Sequence, residues 1–399
     1  MESLLIQSNE FKRQVSLEFK RYLYHEIEWS WRLIGIVGAR GTGKTTMVLQ
    51  YLKEHFKSNN QNAIYISLDD FYFTNNTLID FIKEFRQKGG VFIAIDEVHK
   101  YPGWAREIKN AYDRFPDINI VFTGSSILEI LQLDVDLSRR AVVYRLSGLS
   151  FREYLEMENI CRERKYSLDE ILSGHHDIAY HITEKIKPLA FFSDYLRFGY
   201  YPYYSENRSV YYSRLSQTMK LIIENDLRLV KGYDPGNARK IEQLLYILAG
   251  NVPFKPNITK LSEKIGVYRS TLVRYLHYLA KAEIINLLFL KGISTSTLQK
   301  PEKIFLNNTN IAYMLCREKV NQGSIRESFF LSQIQVFHNV SLPKKSGDFL
   351  VDDTYLFEIG GSRKTNKQIK NEKQAFIVSD DIEIGALNKI PLWLFGFLY

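Results

Sequence analysis

The stretch GARGTGKTT, Gly38 to Thr46, meets every fixed position of the phosphate-binding pattern G-x-x-x-x-G-K-[ST]. Before it stands LIGIVG (Leu33 to Gly38), a short apolar run of buried-strand type. After it, TTMVLQYLKEHF (Thr45 to Phe56) carries apolar residues at helical spacing. Strand, glycine loop and helix form the context in which this pattern binds a nucleoside triphosphate. Backbone N–H groups from Gly38, Ala39, Arg40, Gly41, Thr42 and Gly43 are expected to wrap the phosphates, because glycines let the chain approach closely. Lys44 is expected on the β and γ phosphates, the Thr45 hydroxyl on Mg²⁺, and Thr46 on the α phosphate. An ordinary glycine-rich turn would need neither Lys44 nor Thr45. The expected ligands are ATP or ADP, and Mg²⁺.

Working outward, residues 9–31 read as an amphipathic helix running into an aromatic stretch. AIYISL (Ala63 to Leu68), VFIAIDE (Val91 to Glu97), INIVFTGSS (Ile118 to Ser126) and AVVYRL (Ala141 to Leu146) are further strand candidates, and the segments between most of them have helical spacing. Strands alternating with helices imply a mostly parallel sheet covered on both faces, an α/β fold. The third strand delivers Asp96 and Glu97 at its C-terminal end. There Asp96 would hold Mg²⁺, largely through water, and Glu97 would orient and deprotonate the attacking water. A helix-capping acidic pair is the plainer alternative. Ser125, and next to it Thr123, would touch the γ phosphate or the water. Arg139 or Arg140 would stabilise transition-state charge, in cis or across a subunit interface. His99 and Trp104 read as loop packing.

These residues carry a family resemblance. IDEVHKYPGWAREIK, FTGSS, SRR-AVVYRLSGLSFREYL and DYLRFGYYP (Asp194 to Pro202) resemble, in that order, the motifs of a family of bacterial and archaeal AAA-type ATPases. Ser138 stands where the family often has glycine, Gly148 where it often has proline, and Tyr200 in place of a second glycine. The resemblance implies a P-loop NTPase core of the additional-strand, RecA-like kind with strand order 5-1-4-3-2. It also implies a helical lid, a winged helix and a C-terminal restriction-endonuclease-like α/β domain. It implies no particular substrate. The expected domains are 1–150 (ATPase), 151–235 (helical lid), 236–300 (winged helix) and 301–399 (endonuclease-like).

The chain has 399 residues, 45% hydrophobic and 25% charged, which suits two or three globular domains. No run of 18 apolar residues suggests a membrane span, and no signal peptide is evident. The two cysteines, Cys161 and Cys316, are far apart and compatible with a reducing cytoplasm. The apolar tail PLWLFGFLY (Pro391 to Tyr399) reads as a buried terminal strand.

Net charge is +8, and residues 236–300 hold ten Lys/Arg against three Asp/Glu. Such concentration points to an acidic partner, with duplex DNA foremost, or to a solvated face. TKLSEKIGVYRSTLVRYLHYLAKAEII (Thr259 to Ile285) reads as helix, turn at Gly266, helix. Leu272, Leu276 and Leu279 would face the core. Arg269, Thr271, Arg274 and Lys281 are the candidate DNA contacts, with Lys255, Lys260 and Lys264 for phosphates.

In the last hundred residues Glu327, Asp348 and Glu358 match the endonuclease-like triple that the resemblance implies. Gly360 stands where its lysine belongs; Lys364 is the alternative for that role, but four residues of loop separate it from the strand face. A degenerate site without nuclease activity is expected. The functional expectation is Mg-dependent ATP binding and hydrolysis that moves the C-terminal domains, on DNA or on a protein partner or second copy. The alternative is a slow nucleotide-binding switch or protein-docking module without nucleic-acid binding.

Overall fold

The computed structural model describes the chain except for residues 57–60, 126–136, 138, 231–232, 251–252, 293–299, 366–368, 370–371 and 373 and the side chain of Glu318. Ser126 and Ser138, both part of motifs read from the sequence, lie outside the described residues, as does Gly232 at an expected domain boundary. The chain divides into two compact units, Met1–Gly148 with Leu229–Lys231, and Leu149–Arg228 with Gly232–Tyr399.

In the first unit five apolar runs form β1 (Leu33–Gly38), β2 (Ala63–Ser67), β3 (Phe92–Asp96), β4 (Asn119–Ser125) and β5 (Val142–Arg145). They make one parallel sheet in the order β2-β3-β4-β1-β5. Read from the other edge this is 5-1-4-3-2, the order expected. β1 and β3 are buried along their whole length, and β4 from Ile120 onward, which is why they read as apolar runs. The helices are α1 (Glu2–Gln14), α2 (Tyr22–Glu26), α3 (Lys44–His55), α4 (Tyr72–Asn75), α5 (Leu78–Gln87) and α6 (Trp104–Arg114). α5 lays Leu78, Phe81, Ile82 and Phe85 on the sheet and starts on the side-chain cap of Thr77, which accepts from the Asp80 N–H. Residues 9–31 differ from the expected single helix. α1 ends at Gln14, Val15 is extended, and α2 begins only at Tyr22.

The second unit opens with α7 (Phe151–Met157), α8 (Leu168–Thr183), α9 (Pro188–Phe198), α10 (Tyr211–Leu221) and α11 (Ala238–Ala249). Reciprocal capping boxes, Ser150 with Glu153 and Ser167 with Glu170, start the first two. α12 (Ile258–Ile265) and α13 (Arg269–Lys281) follow, joined through Gly266, and then the antiparallel pair β6 (Ile285–Leu288) and β7 (Lys303–Leu306). Leu272, Leu276 and Leu279 are fully buried. α14 (Thr309–Cys316) and α15 (Gln322–Ile334) lead to β8 (Val340–Ser341), β9 (Phe349–Val351), β10 (Tyr355–Gly360), β11 (Ala375–Ser379) and β12 (Lys389–Pro391). These strands form a mixed sheet ordered β12-β11-β10-β9-β8, parallel among β10, β11 and β12 and antiparallel elsewhere.

The apolar tail is buried, but not as a strand. β12 stops at Pro391, and Leu392–Phe397 form a 3₁₀ helix whose Trp393, Phe395 and Phe397 are enclosed. Strand β12 lies at the sheet edge, where a proline with no N–H to donate is tolerated and ends the pairing. No helix among the described residues is long and apolar enough to cross a membrane.

Candidate nucleotide-binding site

The site forms where β1, β3 and β4 end, the edge at which open α/β sheets present their ligands. The loop from Gly38 to Gly43 joins β1 to α3. Gly43 precedes α3 with φ 94°, a left-handed conformation that favours glycine, and no side chain caps the helix. The start of α3 thus has no side-chain cap and lies at the positive end of the helix dipole, a position that favours an anion. Gly38, at φ 155°, is held so close to β5 that a Cβ there would come within 2.2 Å of the Leu146 carbonyl oxygen. Lys44 is buried and its Nζ donates to the Gly38 and Ala39 carbonyls, 2.8 Å each, inside the loop it would share with phosphate oxygens.

Asp96 is the hub. Buried at 5% exposure, its carboxylate accepts from Thr45 Oγ1 (2.6 Å), Tyr65 OH (2.7 Å), the Glu97 N–H (3.0 Å) and the Thr123 hydroxyl. One carboxylate thus ties the loop to β2 and β4. Tyr65 was not singled out from the sequence. Its signal was only its place on β2, where Ser67 pairs with Asp96 and Tyr65 lies two residues earlier on the same face. Burial, with the neighbouring Asp96 carboxylate, pushes the Tyr65 phenol far above its ordinary value, so it stays a donor.

Thr123 is committed to Asp96, whereas the Ser125 hydroxyl is buried and has no partner among the described residues. Ser125 pairs in register with Gly38, beside the loop. An orphaned buried hydroxyl next to an uncapped glycine loop fits a phosphate ligand. Thr45 and Asp96, a hydroxyl and a carboxylate in contact, fit a hard cation that takes oxygen ligands.

Glu97 has φ 52°, which turns its side chain out of the strand path towards the loop. Its Oε2 lies 3.4 Å from Arg40 Nη2 and 3.1 Å from His99 Nε2. His99 therefore does more than pack the loop, as the sequence suggested, since its enclosed ring touches the candidate base. Trp104 does pack, its ring 5.5 Å from Phe122.

The two arginines lie elsewhere. On parallel strands Val142 is level with Ile34, four residues short of Gly38, or about 13 Å at 3.3 Å per residue. Arg139 and Arg140 precede Val142, and Arg140 grips Asp113 in the last turn of α6 at 2.8 and 3.1 Å. Both stand at the opposite edge of the sheet from the loop, so an action in cis, one of the two expected modes, is corrected by the strand register. Arg139 is exposed, with no ion pair among the described residues.

One supporting residue carried no sequence signal at all. Arg21 is 4% exposed, and its guanidinium donates to the Thr42 carbonyl in the loop and to the Ser147 (2.8 Å) and Gly148 (2.9 Å) carbonyls. It pins the loop to the end of β5. Arg21→Ala is expected to weaken ATP binding about tenfold and to destabilise the chain by about 3 kcal/mol, since three buried carbonyls lose a charged donor. Arg21→Lys should rescue little, because a single ammonium cannot span the three acceptors. Fluorescent-nucleotide titration and urea unfolding measure the two effects.

In the second unit Arg269 and Arg274 are exposed, while Thr271 and Lys281 are half-buried. Lys364 is not held away by its loop. The chain turns back through the Lys364 N–H to the Gly361 carbonyl (2.9 Å), and the lysine ion-pairs with Glu358. A Cβ on Gly360 would lie 2.7–2.8 Å from three carbons of the Lys364 stem, so the lysine fills the space that glycine leaves. Asp348 accepts from the Ile359 N–H at 2.8 Å. No group of three or more His, Cys, Asp or Glu among the described residues is placed to hold a metal ion.

Burial first, then the Asp348 charge, pushes the Glu327 carboxyl up to about 7. A carboxyl raised above its unfolded value binds protons in the folded state that the unfolded state has released. It therefore costs stability as pH rises from about 4.5 through 7. Glu327→Gln is expected to be more stable than wild type at pH 8, by up to about 3 kcal/mol, with the difference closing below pH 5. Urea unfolding in chelator-containing buffer at both pH values checks this.

Residues 30–155 match the profile of an AAA domain, and residues 190–322 that of a domain of unknown function, DUF8612. The chain is 27% identical over 387 residues to an uncharacterised protein of Methanocaldococcus jannaschii, covering 90% of this chain and 81% of the relative. Among solved structures, the Aeropyrum pernix ORC1 protein in complex with DNA is 13% identical, with a TM-score of 0.34 over 80% of this chain and 92% of that one. AMPPCP-bound DnaA from Aquifex aeolicus is 16% identical, with a TM-score of 0.28 over 65% and 84%. Neither structural likeness carries the argument further. The strand order is that of a P-loop fold, and the AAA profile match falls largely on this first unit.

Proposed function

We propose that the first unit binds MgATP and hydrolyses it, and that the cycle moves the second unit, whose basic helix pair acts as a winged helix on duplex DNA. The observation that carries hydrolysis is Glu97. Its carboxylate stands at the loop, within 3.4 Å of Arg40 from the loop itself, where an attacking water would need a base. Lys44 and the α3 N–H groups take the phosphates, and Ser125 reaches the terminal one. Thr45 and Asp96 would hold Mg²⁺, which when bound neutralises charge on the β and γ phosphates. Arg139, exposed and remote from its own loop, acts on the loop of a second copy.

The same contacts support a slower reading. Arg40 and His99 hold Glu97 and must release it before it can accept a proton, so the chain turns over slowly and serves chiefly as a nucleotide switch. Steady-state phosphate release separates the two. Turnover lost in Glu97→Gln supports hydrolysis, whereas tight ATP binding with negligible release supports the switch.

A further inference from the structure

A cleft of about 480 Å³ opens in the second unit. Its walls come from the chain before and into α12 (Lys255 to Thr259), the start of α13 (Arg269), the end of the β6 segment (Leu290), the approach to β7 (Lys300 to Lys303) and the turn before β9 (Leu342 to Gly347). Two backbone bonds make these walls one piece. The Lys291 N–H donates to the Leu342 carbonyl at 3.1 Å, and the Leu342 N–H to the Phe289 carbonyl at 2.8 Å. The helix pair and the C-terminal sheet therefore share the cleft as a fixed joint.

Lys255, Arg269, Lys300 and Lys303 line it, and Lys344 and Lys345 stand in the Leu342–Gly347 turn. None of the six makes an ion pair among the described residues. Glu302 is the one carboxylate on the described lining, and Lys303 also acts electrostatically on the buried Glu327 behind it. Six cations left unpaired around one cleft repel each other, an arrangement that is stabilised when an anion fills it. Their spread over four separate segments suits an extended polyanion rather than a single phosphate. Tyr268, 85% exposed and next to Arg269, adds a ring and hydroxyl of the kind that rest on a sugar–phosphate backbone.

We propose, building on the nucleic-acid partner named above but independently of ATP hydrolysis, that this joint holds the phosphate backbone of duplex DNA. The footprint then runs from the start of α13 away from its Arg274 face and onto the C-terminal sheet. That sheet then becomes part of the DNA surface.

The test is anisotropy of a labelled 25-base-pair duplex with the full chain, in the absence of nucleotide, over a salt series. Wild type is expected to bind at 50 mM salt with a clear salt dependence. Lys255→Glu/Lys300→Glu reverses two exposed charges and should lower affinity at least about tenfold. The log–log salt slope should flatten by about two, since each phosphate contact contributes about 0.9. Lys255→Arg/Lys300→Arg should bind as wild type, and melting curves establish that each variant is folded. Inorganic tripolyphosphate serves as the competing small anion. The proposal is overturned if wild type shows no binding at 50 mM salt, or if the reversal leaves affinity and slope unchanged. It is equally overturned if tripolyphosphate binds with the same charge dependence while the duplex does not. Because nucleotide is absent, a negative result here leaves phosphate release by the first unit untouched.

Discussion

Glu97→Gln is expected to keep ATP affinity within about twofold of wild type and to lower kcat by about 10²–10⁴. The side chain keeps its size and its reach to Arg40 and His99, but it cannot accept a proton from water. Binding is expected to survive because the groups proposed for the phosphates are Lys44 and the uncapped start of α3, with Thr45 and Asp96 proposed for the cation, and none of these depends on the Glu97 charge. A loss confined to KM would show that Glu97 only binds. Single-turnover and steady-state phosphate release, read together, separate the two.

Arg139→Ala is expected to reduce kcat by about 10³ or more while leaving ATP binding intact, as removal of a finger arginine does. The strand register sets it far from its own loop, which is why the proposed action is on the loop of a second copy. Val142 is level with Ile34 rather than Gly38, and Arg140 is tied to Asp113 at the same end, so Arg139 cannot reach its own loop. The consequence is a mixing experiment. Arg139→Ala and Glu97→Gln chains, each nearly inactive alone, should regain part of the wild-type rate together. Paired copies then include one site with an intact base facing an intact arginine. No recovery over a range of ratios and concentrations would remove Arg139 from that role.

Much of the first unit was legible because its signals are local. Five apolar runs, each ending near a polar or glycine-rich turn, gave the strands, and the glycine loop fixed which of them is β1. Asp96 and Glu97 were visible as the acidic end of such a run. What stayed hidden depends on residues distant along the chain. Arg21 meets Thr42, Ser147 and Gly148 only after folding, and nothing in RYLYHE marks it. Tyr65 reaches Asp96 from the neighbouring strand, and His99 reaches Glu97 because Glu97 adopts a left-handed conformation that no pattern announces. Lys364 was misjudged for a related reason. Counting residues from the strand measures contour length, whereas Gly360 and a tight turn let the lysine fold back onto Glu358. The tail misled in the other direction. Continuous apolar sequence is common to buried strands and buried 3₁₀ turns, and Pro391 decided between them.

The activity proposed for this loop is hydrolysis of the triphosphate it binds. The most direct measurement is phosphate release from MgATP by the purified full chain, beside Lys44→Ala prepared identically. Steady release by wild type is expected to exceed the Lys44→Ala background by at least about 10² and to vanish when Mg²⁺ is chelated. Saturating ATP binding by wild type with release no faster than in Lys44→Ala would contradict it.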